Sequence, residues 1–380
     1  MASRVVALVS IIVILLDKSL ASNSRPFSIQ DPQHEQYRSN VWEHEDVDIS
    51  TRSKYFGLTT FAHLPYNPTC FEDASKDAAA DIVIVGAPFD TGVSARPGAR
   101  YGPLGIRSNS QRISPEFDYD EYGFNAFQSW ATMIDCGDVP MLPFDNRIAL
   151  AQLQKAHELI LARGSKNTTV SPIPRIFTLG GDHTITLPAL RAIHKTRGPV
   201  TILHFDSHID TWSPVRKLSA YAGVNHGTWG WHAFHEKLLN TNNLHVGIRS
   251  PYDNPREDLE TDKKCGFEII NAKMIDRIGV TGVISAIKTR IGDSKVYLSI
   301  DIDVLDPAFA PGATGTPESG GYSTRELLAI LDGLDGLSIV GADIVEVAPA
   351  YDGPGQITSL AAVEAAHSIL GLMVKTPVGD

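Results

Sequence analysis

The sequence predicts an α/β fold: a mostly parallel central sheet with helices on both faces. Apolar runs of strand length alternate with stretches whose apolar residues follow a helical period. Some of these runs, such as Ile82-Val83-Ile84-Val85, are continuously apolar, as suits a strand covered on both sides. Three runs end in clustered Asp and His residues, and open α/β sheets collect ligands at the carboxyl ends of their strands.

The 380-residue chain starts with Arg4, an apolar run from Val5 to Leu16, and small residues at Ser19-Leu20-Ala21. Residues 1–21 match a secretory signal peptide, and their apolar run is short for a membrane span. This predicts a secretory-pathway protein, secreted or extracytoplasmic, with no membrane segment once matured, since no second long apolar stretch stands out. Residues 22–80 are polar and irregular, and we expect an arm over the domain's own edge or a neighbouring subunit. The acids and histidines at Glu43, His44, Glu45, Asp46 and Asp48 suit solvated surface. Residues 81–380 carry no repeat or convincing linker and are expected to form one domain.

That domain opens with a buried strand at Asp81–Pro88. A loop with Gly92, Arg96, Gly98, Arg100 and Gly102 follows, without the pattern of a phosphate loop. Arg96 is expected to pair with a local acid, with contact to substrate the alternative. Ile148, Leu150, Leu153, Ala156, Leu159 and Ile160 predict a helix over 147–163. A strand then leads into Gly180-Gly181-Asp182-His183, with a helix over 186–195 after it. Strands follow from Thr201, within the stretch 201–210, and at 244–249 and 267–270, then a helix near 282–290, a strand from Lys295 and a last strand at 338–347. A helix over 358–374 ends the fold.

Formal charge is −11, and −12 without the leader. An acidic chain with no basic cluster is a poor nucleic-acid binder, and its field favours a cationic small molecule. Cys70, Cys136 and Cys265 allow at most one intramolecular pair, and no C-x-x-C occurs. Asn167-Thr168-Thr169 fits the N-glycosylation pattern.

The chemistry centres on Thr201-Ile202-Leu203-His204-Phe205-Asp206-Ser207-His208-Ile209-Asp210. If the extended geometry persists through Asp210, Asp206, His208 and Asp210 share one face. Ser299-Ile300-Asp301-Ile302-Asp303 repeats the design. With His183, four carboxylates and two imidazoles gather, and without a cation they would repel and lose hydration. Hard oxygen donors with two imidazoles and no thiolate suit Mn²⁺, Fe²⁺ or Co²⁺. Six ligands suit two ions, which together lower the pKa of a shared water toward neutrality. Hydrolysis of a poor electrophile is the expected reaction. His204 is expected to be packed beside the ligands without being one.

These motifs resemble the ureohydrolases, the family of arginase and agmatinase, over about residues 80 to 375. The resemblance rests on Gly180-Gly181-Asp182-His183, Asp206-Ser207-His208-Ile209-Asp210 and Ser299-Ile300-Asp301-Ile302-Asp303-Val304-Leu305-Asp306-Pro307. It implies a three-layer α/β/α sandwich, a trimer or hexamer, and two Mn²⁺ per chain. His183, Asp206, Asp210 and Asp301 would bind one ion; Asp206, His208, Asp301 and Asp303 would bind the other. It implies removal of urea from a guanidino compound, with Glu346 holding the guanidinium and His226, in Asn225-His226-Gly227-Thr228, passing a proton to the leaving amine.

Arginases are similar but carry an asparagine where this chain has Trp212, and they have a Ser-Gly-Asn run absent between Asp210 and His226. Agmatine, converted to putrescine and urea, therefore fits better than arginine, with 4-guanidinobutyrate the nearest rival. The loop Asp306–Glu318 resembles that of agmatinases with Ala313 as an extra residue. The other classes to weigh are a metal-stabilised binding protein without catalysis and a one-zinc amide hydrolase on a deacetylase-like fold.

Overall fold

The chain's structure, a computed structural model, describes residues 57–72, 79–120, 122–214 and 222–379. The expected signal peptide at 1–21 and most of the expected arm lie outside these residues.

The apolar runs form eight parallel strands in one sheet: β1 (Ile82–Gly86), β2 (Met133–Asp138), β3 (Arg175–Leu179), β4 (Thr201–Phe205), β5 (Asn243–Ile248), β6 (Phe267–Asn271), β7 (Lys295–Asp301) and β8 (Ser338–Val345). Their order is β2-β1-β3-β8-β7-β4-β5-β6. Alternate residues of each strand feed two separate cores. Ile82, Ile84, Phe177, Leu179, Leu203, Phe205, Leu298 and Ile300 face one. Val83, Val85, Ile176, Ile202 and Tyr297 face the other. The sheet is therefore the middle of three layers.

On the second face lie α2 (Asn146–Leu161), α3 (Thr186–Arg197) and α4 (Trp229–His235), contributing Leu153, Leu187 and Trp229. On the first lie α6 (Ile275–Ile291), α7 (Thr324–Asp332) and α8 (Ile357–Lys375), contributing Ile287, Leu327 and Ile369. Two further helices, α1 (Gly102–Asn109) and α5 (Pro255–Lys264), complete the set among the described residues. The helix expected near 282–290 starts seven residues earlier, with a break where Gly279 takes φ +67°.

The sequence reading saw no second long apolar stretch, yet α8 is long and apolar enough to cross a membrane. Its Ala361, Ala362, Ala365, Ala366, Ile369 and Leu370 are instead buried in the core, which accounts for the composition. The β2 strand, Met-Ile-Asp-Cys-Gly-Asp, was not foreseen because acids and a glycine interrupt its apolar pattern.

Residues 57–72, within the expected arm, cover that edge strand. Tyr66 bridges Asp135, Phe61 N–H donates to Asp135 Oδ2 at 2.8 Å, and Phe61 and Ala62 enter the core. Cys70 and Cys136 form a disulfide that pins this segment to β2; Cys265 is buried and free. Asn167 is tied inward: its amide nitrogen donates to Asp81 Oδ2 at 2.7 Å and to the Trp130 carbonyl at 2.9 Å. Both amide protons are thus engaged in the folded chain.

Candidate metal centre

All six expected ligands meet at the carboxyl ends of β3, β4 and β7, near the middle of the sheet. The route differs from simple strand alternation. Strand β4 stops at Phe205, and Asp210 takes a left-handed φ of +52°, so a loop and not an extended face brings Asp206, His208 and Asp210 together. Strand β7 stops at Asp301, and Asp303 sits in a 3-10 turn that Asp301 caps, its Oδ1 accepting from Asp303 N–H at 2.8 Å. Asp182 likewise caps the 3-10 turn that begins with His183. Short turns at strand ends fold the side chains inward because each leading acid satisfies the turn's free N–H.

His183 Nδ1 faces three carboxylates: Asp210 Oδ2 at 3.1 Å, Asp206 Oδ2 at 3.2 Å and Asp301 Oδ2 at 3.3 Å. His208 Nδ1 lies 3.1 Å from Asp303 Oδ2 and 3.2 Å from Asp206 Oδ1. Asp206 thus touches both imidazoles, the place of a bridging ligand. Asp210 is further oriented by Trp229, whose indole N–H donates to its Oδ2 at 2.9 Å.

The donor set fits a cation pair. His183 Nδ1, Asp206 Oδ2 and Asp303 Oδ2 are buried without a hydrogen-bond partner, in a protein interior where such atoms are rare. In the protein alone, burial opposes charge on His183, but Asp206, Asp210 and Asp301 outweigh it and push its pKa well above the usual range. Burial, Asp303 and Asp206 push Asp301 well above the carboxylate range. The cluster is thus short of positive charge, which divalent ions would supply.

Each imidazole is steered from behind. His183 Nε2 lies 2.8 Å from Ser299 Oγ, and Ser299 donates to Asp343 Oδ1 at 2.6 Å. Asp343 Oδ2 accepts from Thr186 and from Tyr297, each at 2.7 Å. With its hydroxyl proton spent on Asp343, Ser299 accepts from Nε2–H, which leaves the Nδ1 lone pair for a metal. His208 Nε2 meets Thr316 Oγ1 at 3.0 Å. No role was foreseen for Ser299 or Asp343; a serine two residues before Asp301 on the same strand face was the available signal. His204 Nε2 lies beside Asp206 Oδ2 at 2.9 Å, close enough to His183, Asp206 and Asp210 to join them around an ion.

Glu346 and His226 join the cluster from β8 and the loop before α4. Glu346 Oε1 accepts from His183 N–H at 3.0 Å, and Oε2 accepts from the Thr314 hydroxyl at 2.5 Å. Its φ of +61° is the second left-handed backbone at the site, and such strain concentrates where a side chain must be aimed. Burial and Asp182 push its pKa up to about 8, so this carboxylate calls for a cationic partner. His226 Nδ1 is 3.7 Å from Glu346 Oε1, and its Nε2 accepts from Ser94 N–H at 3.2 Å. When Nε2 instead carries a proton, Ser94 Oγ at 3.1 Å can accept it, and in both cases Nδ1 faces the site. Arg96 bridges Gly315, where an added Cβ would lie 3.4 Å from His226 Nδ1, but the expected acid is not its neighbour: among the described residues its guanidinium lies 5.5 Å over the Tyr351 ring.

Comparison with known proteins agrees. The Arginase family model matches residues 80–371. The chain is 48% identical to “Putative agmatinase 1” of Schizosaccharomyces pombe, over 88% of this chain and 86% of that one. It is 39% identical to the agmatinase of Escherichia coli, over 85% of this chain and 94% of that one. The solved proclavaminate amidino hydrolase from Streptomyces clavuligerus, 35% identical, superposes with a TM-score of 0.75 over 85% of this chain and 99% of that one. A match across nearly the whole described domain, with the His and Asp cluster assembled at its strand ends, makes this chain a member of the arginase family.

Proposed function

We propose that the protein is a binuclear manganese ureohydrolase that converts agmatine to putrescine and urea. The observation that carries this is the single buried site in which His183, Asp206, His208, Asp210, Asp301 and Asp303 converge beside Glu346 and His226. The relatives named agmatinase support the substrate, and the hard donors favour manganese.

His183, Asp206, Asp210 and Asp301 would hold one ion, and Asp206, His208, Asp301 and Asp303 the other. When bound, such a pair supplies a strong oxygen nucleophile near neutral pH and balances the four aspartates. Glu346 accepts two parallel N–H bonds from a guanidinium, with Thr314 and the His183 N–H fixing its oxygens. The guanidinium's charge would offset the burial of Glu346. His226, with Nε2–H donated to the Ser94 hydroxyl, would present Nδ1–H to the departing amine and supply its proton, which leaves a neutral ring. Asp182 accepts from Gly92 N–H and Thr184 N–H, which fixes the loops carrying Ser94 and His183.

A guanidino acid such as 4-guanidinobutyrate is the second candidate substrate, favoured by Arg96 at the rim near His226. Export through the secretory pathway is supported by the Cys70–Cys136 disulfide, which oxidising compartments preserve. A trimer or hexamer is the proposed assembly.

Urea release from agmatine, arginine and 4-guanidinobutyrate, with Mn²⁺ supplied, tests the proposal. Agmatine should give the highest kcat/KM. No urea from any of the three would refute it.

A further inference from the structure

A row of polar residues crosses the sheet beneath the metal ligands. Thr178, Asp343, Ser299, His204 and His245 are register partners on β3, β8, β7, β4 and β5. One half of the row, through Ser299 and Asp343, steers His183. The other half leads away from Asp206, and nothing in the proposed reaction uses it.

From His204 outward it is a hydrogen-bonded chain, and toward Asp206 it ends in a close contact. His204 Nε2 is 2.9 Å from Asp206 Oδ2, and His204 Nδ1 is 2.7 Å from His245 Nδ1. His245 Nε2 is 2.9 Å from Asp262 Oδ1, which also accepts from the Thr211 hydroxyl at 2.7 Å. His204, His245, Thr211 and Asp262 are all buried, and the His245 ring stacks on Phe267 with centroids 4.0 Å apart. A buried polar chain is costly unless every member is paired, so its retention calls for a task. Two adjacent Nδ1 atoms need one proton between them, so each ring fixes how its neighbour is turned. Asp262 is the outer anchor and Asp206 the inner end. The contact at Asp206 lies off the direction of a good hydrogen bond, which leaves Oδ2 with lone pairs to offer a cation.

We propose that His245 and Asp262 are positioning residues that, through His204, fix the carboxylate of Asp206 in the orientation both ions require. The inference rests on the metal-site reading above. Partners that orient a ligand in this way typically contribute about 10–100-fold in metal affinity.

The test uses the purified protein with and without Mn²⁺. Wild type is first shown to bind two ions and release urea; failure there sinks the metal-site reading and not the chain. His245→Phe keeps the stack on Phe267 but carries no hydrogen bond. It should melt below wild type when metal-free, because Asp262 and His204 Nδ1 lose a partner, and where folded it should bind Mn²⁺ about 10–100-fold more weakly. His245→Gln restores an acceptor and a donor and should return to within about threefold of wild type. Asp262→Asn, which preserves volume, should weaken binding by about tenfold and serves if His245→Phe does not fold. Wild-type affinity in His245→Phe or Asp262→Asn would overturn the proposal. So would equal weakness in the Phe and Gln variants, because that pattern belongs to ring packing alone.

Discussion

Gly181 is where the backbone beside the metal centre is tightest, and Gly181→Ala tests how rigidly the site is held. A Cβ there would lie 1.9 Å from the carbonyl oxygen of Phe89 and 2.6 Å from its nitrogen. Both neighbours are backbone, so no side chain can swing aside. In an interior packed like a crystal, relief requires the two segments to part by roughly 1 Å. They are not free to part. Asp182 N–H donates to the Phe89 carbonyl at 2.7 Å, and Glu346 N–H donates to the Gly181 carbonyl at 2.8 Å. The displacement therefore passes to His183, two residues on, and to Glu346 opposite. Misplacement of positioned groups by about 1 Å costs about 100-fold in rate. The overpacking costs about 1–3 kcal/mol of stability. Steady-state urea release and thermal melting read the two effects separately. A folded variant should lose about 100-fold in kcat/KM for agmatine; wild-type turnover would refute the reasoning.

Three further outcomes follow from other parts of the molecule. Ser299→Ala removes the acceptor for His183 Nε2–H and leaves Asp343 without that donor; metal titration should find affinity lower by about 10–100-fold, and unchanged affinity would remove Ser299 from this role. The Cys70–Cys136 bond closes a separation of 66 residues, so Cys70→Ala with Cys136→Ala should lower unfolding free energy by up to about 4 kcal/mol in guanidinium melts; an unchanged midpoint contradicts this. Burial pushes His157 down to about 4. The unfolded chain takes up that proton near pH 6.5 and the folded chain only near pH 4. The contribution is therefore present above about pH 6.5 and is lost as pH falls toward 4, by about 3 kcal/mol in all. Melts of metal-free wild type and His157→Leu across this range should diverge; parallel curves would refute the assignment.

The sheet and the ligand identities were legible because burial on both faces writes continuous apolar runs, and metal ligation writes acids and histidines at their ends. What sequence spacing misjudged was the path between ligands. Alternation suggested one extended face through Asp210, but the chain leaves the strand at Phe205 and turns through a left-handed residue. The polar row beneath the site was hidden for a different reason. Ser299, Asp343, His204 and His245 lie on four strands far apart in the chain, and only the strand order makes them neighbours. Cys70 and Cys136 could be counted as one possible pair, but their meeting depends on residues 57–72 folding over the β2 edge. The capping box at Ser323 and Glu326 that begins α7 was visible in the sequence and overlooked.

The most direct measurement is an anomalous difference map at the manganese edge from crystals grown with Mn²⁺. The account predicts two peaks, one in contact with His183 Nδ1 and the other with His208 Nδ1, with Asp206 touching both. A single peak, or none among these six side chains, would contradict it.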